Sequence, residues 1–158
     1  MFDNTLIFAE DLMTRDVAVV HPDTSLLTAV KLMAQRHVSG LPVVDADGTP
    51  VGMLTEGDLL RWHGEFSERQ QWWLDHLADG HDLAPSFLKV LKAERRKVAA
   101  LMAREVRTIA PGTPARDIAK LFYDNNIKRA PVVENGKIIG LVSRFDLIKA
   151  MVKELTEE

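Results

Sequence analysis

The sequence predicts a mixed α/β (α+β) fold that is built from two β-α-β-β-α repeats. Of its 158 residues, 46% are hydrophobic, which is enough to form a buried core. Most of the pattern in residues 43–60 recurs in residues 132–150 as an apolar strand, a turn, a second strand and a helix. Each repeat is too small to bury its own sheet. We therefore expect the two repeats to pack against each other with pseudo-two-fold symmetry.

The repeats match in order along the chain, at an offset that shortens by one residue in the turn between the strands. A surface turn tolerates such a deletion. The matched residues are Leu12-Met13 with Leu101-Met102, Leu41-Pro42 with Ala130-Pro131, and Gly52, Thr55 and Asp58 with Gly140, Ser143 and Asp146. We predict repeat 1 at residues 9–63, a helical insert at 64–97 and repeat 2 at 98–153.

Each repeat begins with a helical turn and a brief strand. The turns contain Leu12-Met13 and Leu101-Met102. The strands are predicted at residues 17–20 and 106–110, because both segments are rich in β-branched residues and both are stopped by a proline.

A long helix follows each brief strand. Thr24 or Thr113 can cap it, and Pro114 fits its first position. The apolar residues at helical spacing are Leu26, Val30, Met33 and Ala34 in repeat 1, and Ala115, Ile118, Ala119 and Phe122 in repeat 2.

A hairpin and a last helix complete each repeat. The predicted turns are residues 45–48 and 134–137, and the Asn135-Gly136 pair is a strong hairpin signal. The last helices are predicted to start at Thr55 and Ser143, where a strand gives way to a helix.

The insert is predicted to contain two helices, at residues 67–77 and 85–101, on either side of a break at 79–82. We interpret its tryptophans as hydrophobic anchors and its basic run as a solvated helix face. These residues are Trp62, Trp72 and Trp73, and Lys89, Lys92, Arg95, Arg96 and Lys97.

The composition argues against several functional classes. A net charge of -3 disfavours general nucleic-acid binding, and no apolar run reaches the roughly 18 residues of a membrane span. The absence of cysteine fits a reducing cytoplasm. No common catalytic or phosphate-loop motif occurs, and His76 and His81 match no strong zinc pattern. We expect a cytoplasmic protein without membrane attachment, metal or catalytic activity.

Several motifs recur in both repeats in the same order. They are Met13-Thr14 and residues 21–24, 39–45 and 52–59 in repeat 1, and residues 127–133 and 140–147 in repeat 2. The whole set resembles a tandem pair of CBS (cystathionine-β-synthase) domains, also called a Bateman module. The resemblance covers about residues 9–63 and 98–153.

The resemblance implies a non-catalytic regulatory module that binds an adenosine-containing ligand in clefts between the repeats. The expected ligands are AMP, ADP, ATP, NAD and S-adenosyl-methionine, and no cofactor is required. A homodimer is also implied. An effector protein of unspecified identity is a further expected partner.

The resemblance also implies a set of ligand-binding residues. Asp58 and Asp146 would accept hydrogen bonds from ribose hydroxyls, and Thr55 and Ser143 add hydroxyls beside the free N–H groups of a helix start. The implied phosphate ligands are Lys128 and Arg129, and the implied base contacts are Val17, Ala18 and Leu41 in one cleft and Val106 and Ala130 in the other. Residues of repeat 1 that are expected to face Ser143 and Asp146 are Thr14, Ala18 and Ser39.

The two clefts differ in charge. Repeat 2 has Lys128-Arg129 where repeat 1 has Ser39-Gly40, and Arg144 where repeat 1 has Glu56. Cations attract a phosphate and Glu56 would repel it. We therefore predict that the cleft of Ser143 and Asp146 binds a charged ligand more tightly.

Alternative interpretations stay open. Thr55-x-x-Asp58 and Ser143-x-x-Asp146 also have the pattern of a helix capping box, a role that is compatible with ligand contact. The Lys128-Arg129 pair is equally consistent with a solvated surface. The chain is alternatively a ligand-free structural or interaction module that dimerises and acts through its insert. Nucleic-acid binding through the basic run is a third hypothesis, which predicts steep salt dependence.

Overall fold

The computed structural model describes residues 6–63 and 96–156. The predicted helix at residues 67–77 therefore lies outside the described residues, as does most of the predicted helix at 85–101. Trp72, Trp73, His76 and His81 also lie outside them, together with the first part of the basic run.

The helices and strands follow the order that the repeats predict, with a helix, two strands and a second helix occurring twice. In chain order the elements are α1 (Ala9–Leu12), α2 (Leu26–Arg36), β1 (Gly40–Val44), β2 (Pro50–Thr55), α3 (Glu56–His63), a 3-10 helix (Val98–Ala100), α4 (Ala115–Asn125), β3 (Arg129–Glu134), β4 (Lys137–Ser143) and α5 (Arg144–Thr156). The mixed α+β class is confirmed. Strands β1 and β2 pair antiparallel, and so do β3 and β4.

The chain divides into two compact units that are offset from the sequence repeats. The first unit is Ala18–Glu105, and the second joins Met1–Val17 to Val106–Glu158. The opening segment of each repeat thus belongs with the hairpin of the other repeat. Thr14 exchanges backbone hydrogen bonds with Leu141 in the second unit, and Ala103 does the same with Met53 in the first.

The brief strands predicted at residues 17–20 and 106–110 are wrong in extent, because each is reduced to a single parallel bridge. Val20 bridges to Val43, and Ile109 bridges to Val132. In residues 17–20 the chain passes from one unit to the other between Val17 and Ala18, so only the end of that segment runs along its hairpin.

The two hairpins share a bulge and differ in their turns. The register shifts after Val43 in the first hairpin and after Val132 in the second, at matching positions of the repeats. Asn135 and Gly136 have φ angles of 53° and 78°, as a tight two-residue turn requires. The first hairpin has the longer turn. Asp45 stabilises it, because its Oδ1 accepts the backbone N–H groups of Asp47 at 2.9 Å and Thr49 at 3.0 Å.

The capping residue of each long helix lies one position later than the predicted cap, Thr24 or Thr113. Ser25 caps α2, because its hydroxyl accepts the Thr28 N–H at 3.1 Å, whereas the Thr24 hydroxyl accepts the His21 N–H at 2.9 Å. Pro114 is the N-cap residue of α4 rather than its first helical residue, and no side chain caps that helix.

Each unit has its own hydrophobic core beneath its hairpin. The first core contains Val20, Leu26, Ala29, Val30, Met33, Leu41, Val43, Leu54, Leu59, Val98 and Met102. The second contains Ala9, Met13, Ile109, Ile118, Phe122, Ala130, Val132, Val142 and Leu147. Ala34 and Ala119, which the periodicity assigns to the buried faces, are exposed, because α2 turns Ala29 inward instead and α4 is anchored by Ile118 and Phe122.

The end of the predicted helix at residues 85–101 is also different in the structure. Lys97 is extended, with φ of -98° and ψ of 164°, and it bridges to Ser25. The Val98 N–H donates to the Thr24 carbonyl at 2.9 Å, and the Val98 side chain is fully buried. Tertiary pairing with the start of α2 thus replaces continuous helix at this point.

Candidate functional site

The second unit places Ser143 and Asp146 together at the junction of β4 and α5. The Ser143 N–H donates to Asp146 Oδ2 at 2.8 Å, and the Ser143 hydroxyl donates to the same oxygen at 3.0 Å. The Asp146 N–H lies 3.3 Å from the Ser143 hydroxyl oxygen, which accepts from it. The serine and the aspartate therefore satisfy each other's backbone groups at the helix start.

The first unit repeats this geometry at the junction of β2 and α3. Asp58 Oδ2 accepts the Thr55 N–H at 2.8 Å and the Thr55 hydroxyl at 3.2 Å. The two motifs thus match in the two hydrogen bonds that the aspartate Oδ2 accepts. The carboxylate half of the capping pattern is present at both helix starts, and the N–H to hydroxyl bond completes it at Ser143 and Asp146.

Both aspartates are buried. Asp58 is 4% exposed and Asp146 is 6% exposed, and they are the buried charged residues of the part of the chain that the structure describes. Burial of an ionised carboxylate is costly unless hydrogen bonds or a cation compensate for the lost water. Because a carboxylate accepts at about four lone-pair sites, the capping contacts leave acceptor capacity for further donors such as a ribose diol.

Lys149 is a partner of Asp146 that the sequence analysis does not single out. Its Nζ lies 3.3 Å from Asp146 Oδ1, and its side chain is 61% exposed. The same ammonium lies 5.4 Å from the centre of the Phe145 ring. The spacing of three residues on a helix is the signal that could have revealed this pair.

The predicted phosphate-binding cations lie near the same helix start. The Arg144 Nε donates to the Ile127 carbonyl at 3.1 Å, so its guanidinium holds the left-handed turn that ends α4. The Arg144 N–H donates to the Lys128 carbonyl at 2.9 Å, which joins the start of α5 to the start of β3. The Lys128 side chain is exposed, and that of Arg129 is half-buried.

The predicted base contacts fall into two groups. Leu41 and Ala130 are fully buried in the cores of their own units. Val17, Ala18 and Val106 are half-buried at the beginning of the segments that lead to the hairpins. The half-buried residues are the ones whose side chains retain surface for contact with a ligand.

Thr14 belongs to the same unit as Ser143. It is exposed, and its backbone bridges to Leu141, two residues before Ser143 on β4. Ala18 and Ser39 belong to the first unit instead, where the Ser39 carbonyl accepts the Glu56 N–H at 2.9 Å. That Ala18 and Ser39 face Ser143 and Asp146 stays a prediction.

Neither a membrane-spanning helix nor a metal cluster occurs in the part of the chain that the structure describes. Within residues 6–63 and 96–156, no helix has the length and the apolar character needed to cross a membrane. Over the same ranges, no three side chains of histidine, aspartate or glutamate come together as a candidate metal site.

Comparisons with known proteins agree on the fold and the family. The family model for the CBS domain matches residues 9–65 and 98–153. The uncharacterized protein MJ1426 of Methanocaldococcus jannaschii is 33% identical over 156 residues, which cover 93% of this chain and 92% of that protein.

Solved structures give the same result. The crystal structure of the CBS-pair protein CBSX2 from Arabidopsis thaliana superposes with a TM-score of 0.76 at 27% identity, covering 98% of this chain and 100% of CBSX2. A crystal structure of CBSX2 in complex with AMP has a TM-score of 0.70 at 28% identity, covering 92% and 96% of the two chains. The chain belongs to the CBS domain family and contains a tandem CBS pair.

Proposed function

We propose that the protein is a regulatory module that binds an adenosine-containing ligand beside the two buried aspartates. The expected ligands are AMP, ADP, ATP, NAD and S-adenosyl-methionine. The observation that carries the proposal is the duplicated geometry of a hydroxyl and a buried carboxylate at a strand-to-helix junction. The complex of the related CBSX2 with AMP supports an adenine nucleotide as the ligand.

Each part of the ligand has a proposed set of contacts. Asp58 and Asp146 accept the ribose hydroxyls, and the positive dipole ends at the starts of α3 and α5 favour a nearby phosphate. The proposed phosphate cations are Lys128, Arg129 and Arg144. The proposed base contacts are Val17, Ala18 and Leu41 in one site and Val106 and Ala130 in the other, and Thr14 and Ser39 are proposed to face Ser143 and Asp146.

The charged ligand should prefer the site of Ser143 and Asp146. Lys128 and Arg144 meet at the start of α5, where a backbone hydrogen bond of 2.9 Å joins them. The matching positions in the first unit are Ser39 and Glu56, also joined at 2.9 Å, and Glu56 would repel a phosphate.

Regulation requires the ligand to favour one conformation of the module over another, because a ligand shifts an equilibrium only through differential affinity. We propose that a cytoplasmic homodimer passes this change to an effector protein. A non-catalytic role agrees with the family.

A thermal-shift screen tests the proposal. A ligand that binds only the folded protein must raise the unfolding temperature, and a ligand at 100 times its Kd adds about 2.7 kcal/mol of stability. We expect at least one of AMP, ADP, ATP, NAD and S-adenosyl-methionine to raise the unfolding temperature by several degrees at millimolar concentration. CMP and ribose 5-phosphate are the matched controls, since they keep the sugar and phosphate without adenine. An unchanged unfolding temperature with every adenosine compound would contradict the proposal.

A second candidate function is a structural module that needs no ligand. It is favoured by the capping contacts, because the N–H groups and hydroxyls of Thr55 and Ser143 already compensate in part for the burial of both aspartates. This candidate predicts a stable homodimer that shows no thermal shift with any compound of the screen.

A further inference from the structure

The two carboxylate oxygens of Asp146 have different partners. Oδ2 accepts the Ser143 N–H at 2.8 Å and the Ser143 hydroxyl at 3.0 Å. Oδ1 lies 3.3 Å from the ammonium nitrogen of Lys149. An ionised carboxylate accepts hydrogen bonds at about four lone-pair sites, two on each oxygen. Ser143 therefore fills the sites of Oδ2, and Lys149 takes one of the two sites of Oδ1.

A ribose that binds Asp146 meets a shortage of acceptor sites. Its 2′- and 3′-hydroxyls each bring one donor hydrogen, whereas the carboxylate has about one site left beside its present partners. One hydroxyl fits next to the ammonium. The second hydroxyl is accepted only when one of the present donors leaves.

Lys149 is the donor that leaves at the lowest cost in free energy. The Ser143 N–H is fixed by the backbone at the end of β4, and the Ser143 hydroxyl also accepts the Asp146 N–H at 3.3 Å. The Lys149 side chain is 61% exposed, so water solvates the ammonium as soon as it moves away. Exposed ion pairs contribute little to stability, because solvent screens them and the flexible lysine side chain gains freedom on release.

A second contact keeps the Lys149 ammonium beside Oδ1 until it is displaced. The ammonium lies 5.4 Å from the centre of the Phe145 ring, which is within the range of a cation–π contact. In repeat 1, Arg61 follows Asp58 at the same spacing in the sequence. A cation at matched positions of both repeats favours a role at the site over a chance surface pair.

We propose that Lys149 sets the sugar specificity of the Asp146 site, because it occupies one acceptor site of Oδ1 and exchanges with the second ribose hydroxyl. The loss of the ion pair offsets part of the free energy that this hydroxyl contributes. The site therefore discriminates less between ribose and deoxyribose than the aspartate would alone. This inference rests on the proposed function and deepens it. Lys149 acts through Asp146, so it is a positioning residue.

Calorimetric titrations with AMP and 2′-deoxy-AMP test the inference, because the deoxy compound keeps the base, the phosphate and one sugar hydroxyl. All titrations use an Asp58→Asn background, so that they report on the Asp146 site. The measured quantity is the Kd of 2′-deoxy-AMP divided by the Kd of AMP, a ratio in which any attraction between Lys149 and the phosphate cancels. We expect this ratio to be about 3-fold to 5-fold larger in Lys149→Met than in the parent chain, which is the size of one exposed ion pair.

Two further variants separate the donor at Oδ1 from other effects. Lys149→Arg keeps a cationic donor within reach of Asp146 and should keep the parent ratio. Lys153→Met, at an exposed lysine in the last turn of α5, should also leave the ratio unchanged. A ratio in Lys149→Met that equals or falls below that of the parent chain would overturn the inference, including the case in which both affinities fall together. A parent chain that does not bind AMP would overturn it as well.

A double-mutant cycle without ligand tests the ion pair itself. Lys149→Met should lower the unfolding temperature by up to about 3 °C in the wild-type background and should have no effect in an Asp146→Asn background, where the carboxylate charge is gone. Equal effects in both backgrounds would overturn the inference whatever the titrations show. A coupled pair with no thermal shift from any adenosine compound would overturn the proposed function, and this inference with it. Thermal shifts together with an unchanged ratio would overturn this inference alone.

Discussion

Gly52 and Gly140 allow a second segment of chain to approach each hairpin closely. A Cβ atom on Gly140 would lie 2.7 Å from Met13 Cγ and 2.8 Å from Met13 Cβ. A Cβ atom on Gly52 would lie 2.7 Å from Met102 Sδ and 2.8 Å from the Ala103 carbonyl oxygen. Contacts below 3.0 Å force a shift of the neighbouring atoms. The matched glycines are therefore packing residues that admit the opening segments of the repeats.

The substitution Gly140→Ala should lower the free energy of unfolding by about 1–3 kcal/mol, because the added methyl group overpacks the contact with Met13. Gly112→Ala is the control, since a Cβ there meets no atom within 4 Å. Chemical denaturation measures both. In a Met13→Ala background the penalty should shrink in part, because the contacts with Met13 Sδ and Cγ are gone and only the contact with Cβ remains. Equal stabilities of Gly140→Ala and Gly112→Ala would contradict this account.

At the scale of single residues, the sequence predicts the candidate site better than its surroundings. Thr55, Asp58, Ser143 and Asp146 could be selected because they recur at matched positions, and the structure brings each pair together. The contact between Arg144 and the Ile127 carbonyl could not be predicted, because it joins residues that are 17 positions apart in sequence. Such contacts depend on the packing of α5 against α4, which no local pattern encodes.

At the scale of the elements, the start of α2 shows how tertiary contacts choose between neighbouring candidates. Thr24 and Ser25 can both cap a helix, and the sequence cannot decide between them. In the structure, the N–H of Val98 binds the Thr24 carbonyl, and the residue beside it, Lys97, bridges to Ser25. These contacts fix the backbone so that Ser25 is the capping residue. The segment that determines the capping residue is distant in sequence. The sequence therefore predicts the helix but not the residue at which it begins.

The cap makes a testable contribution to stability. Ser25→Ala should lower the free energy of unfolding by about 1 kcal/mol, because the Thr28 N–H loses its acceptor. Ser25→Asp should retain most of the stability, since a carboxylate accepts the same N–H and favours the positive end of the helix. Thermal or denaturant unfolding measures both variants. An alanine variant as stable as the wild type would show that the hydroxyl contributes nothing to α2.

At the scale of the whole molecule, the two compact units differ from the two sequence repeats in one respect. Internal similarity reveals which segments share an origin, but it does not reveal which copies pack together. Met13 therefore belongs to repeat 1 by sequence and to the second core by structure. Met102 belongs to repeat 2 by sequence and to the first core by structure. The repeat pattern predicts the fold class and the element order, whereas the exchange of opening segments could be learned only from coordinates.

The central claim is that the buried aspartates at the two helix starts bind the ligand. Isothermal titration calorimetry tests it with the adenosine compound that gives the largest thermal shift. Asp58→Asn and Asp146→Asn are suitable variants, because asparagine has nearly the same shape and keeps one oxygen to accept the N–H of Thr55 or Ser143. Asp124→Asn, at an exposed carboxylate on α4, is the control.

We predict that Asp146→Asn lowers the affinity by about 10-fold or more, that Asp58→Asn lowers it less, and that Asp124→Asn leaves it unchanged. A loss of about 10-fold corresponds to about 1.4 kcal/mol, which is within the range of one hydrogen bond to a charged group. Unchanged affinity in both Asp58→Asn and Asp146→Asn would contradict the claim, and a loss confined to Asp58→Asn would reverse the predicted preference.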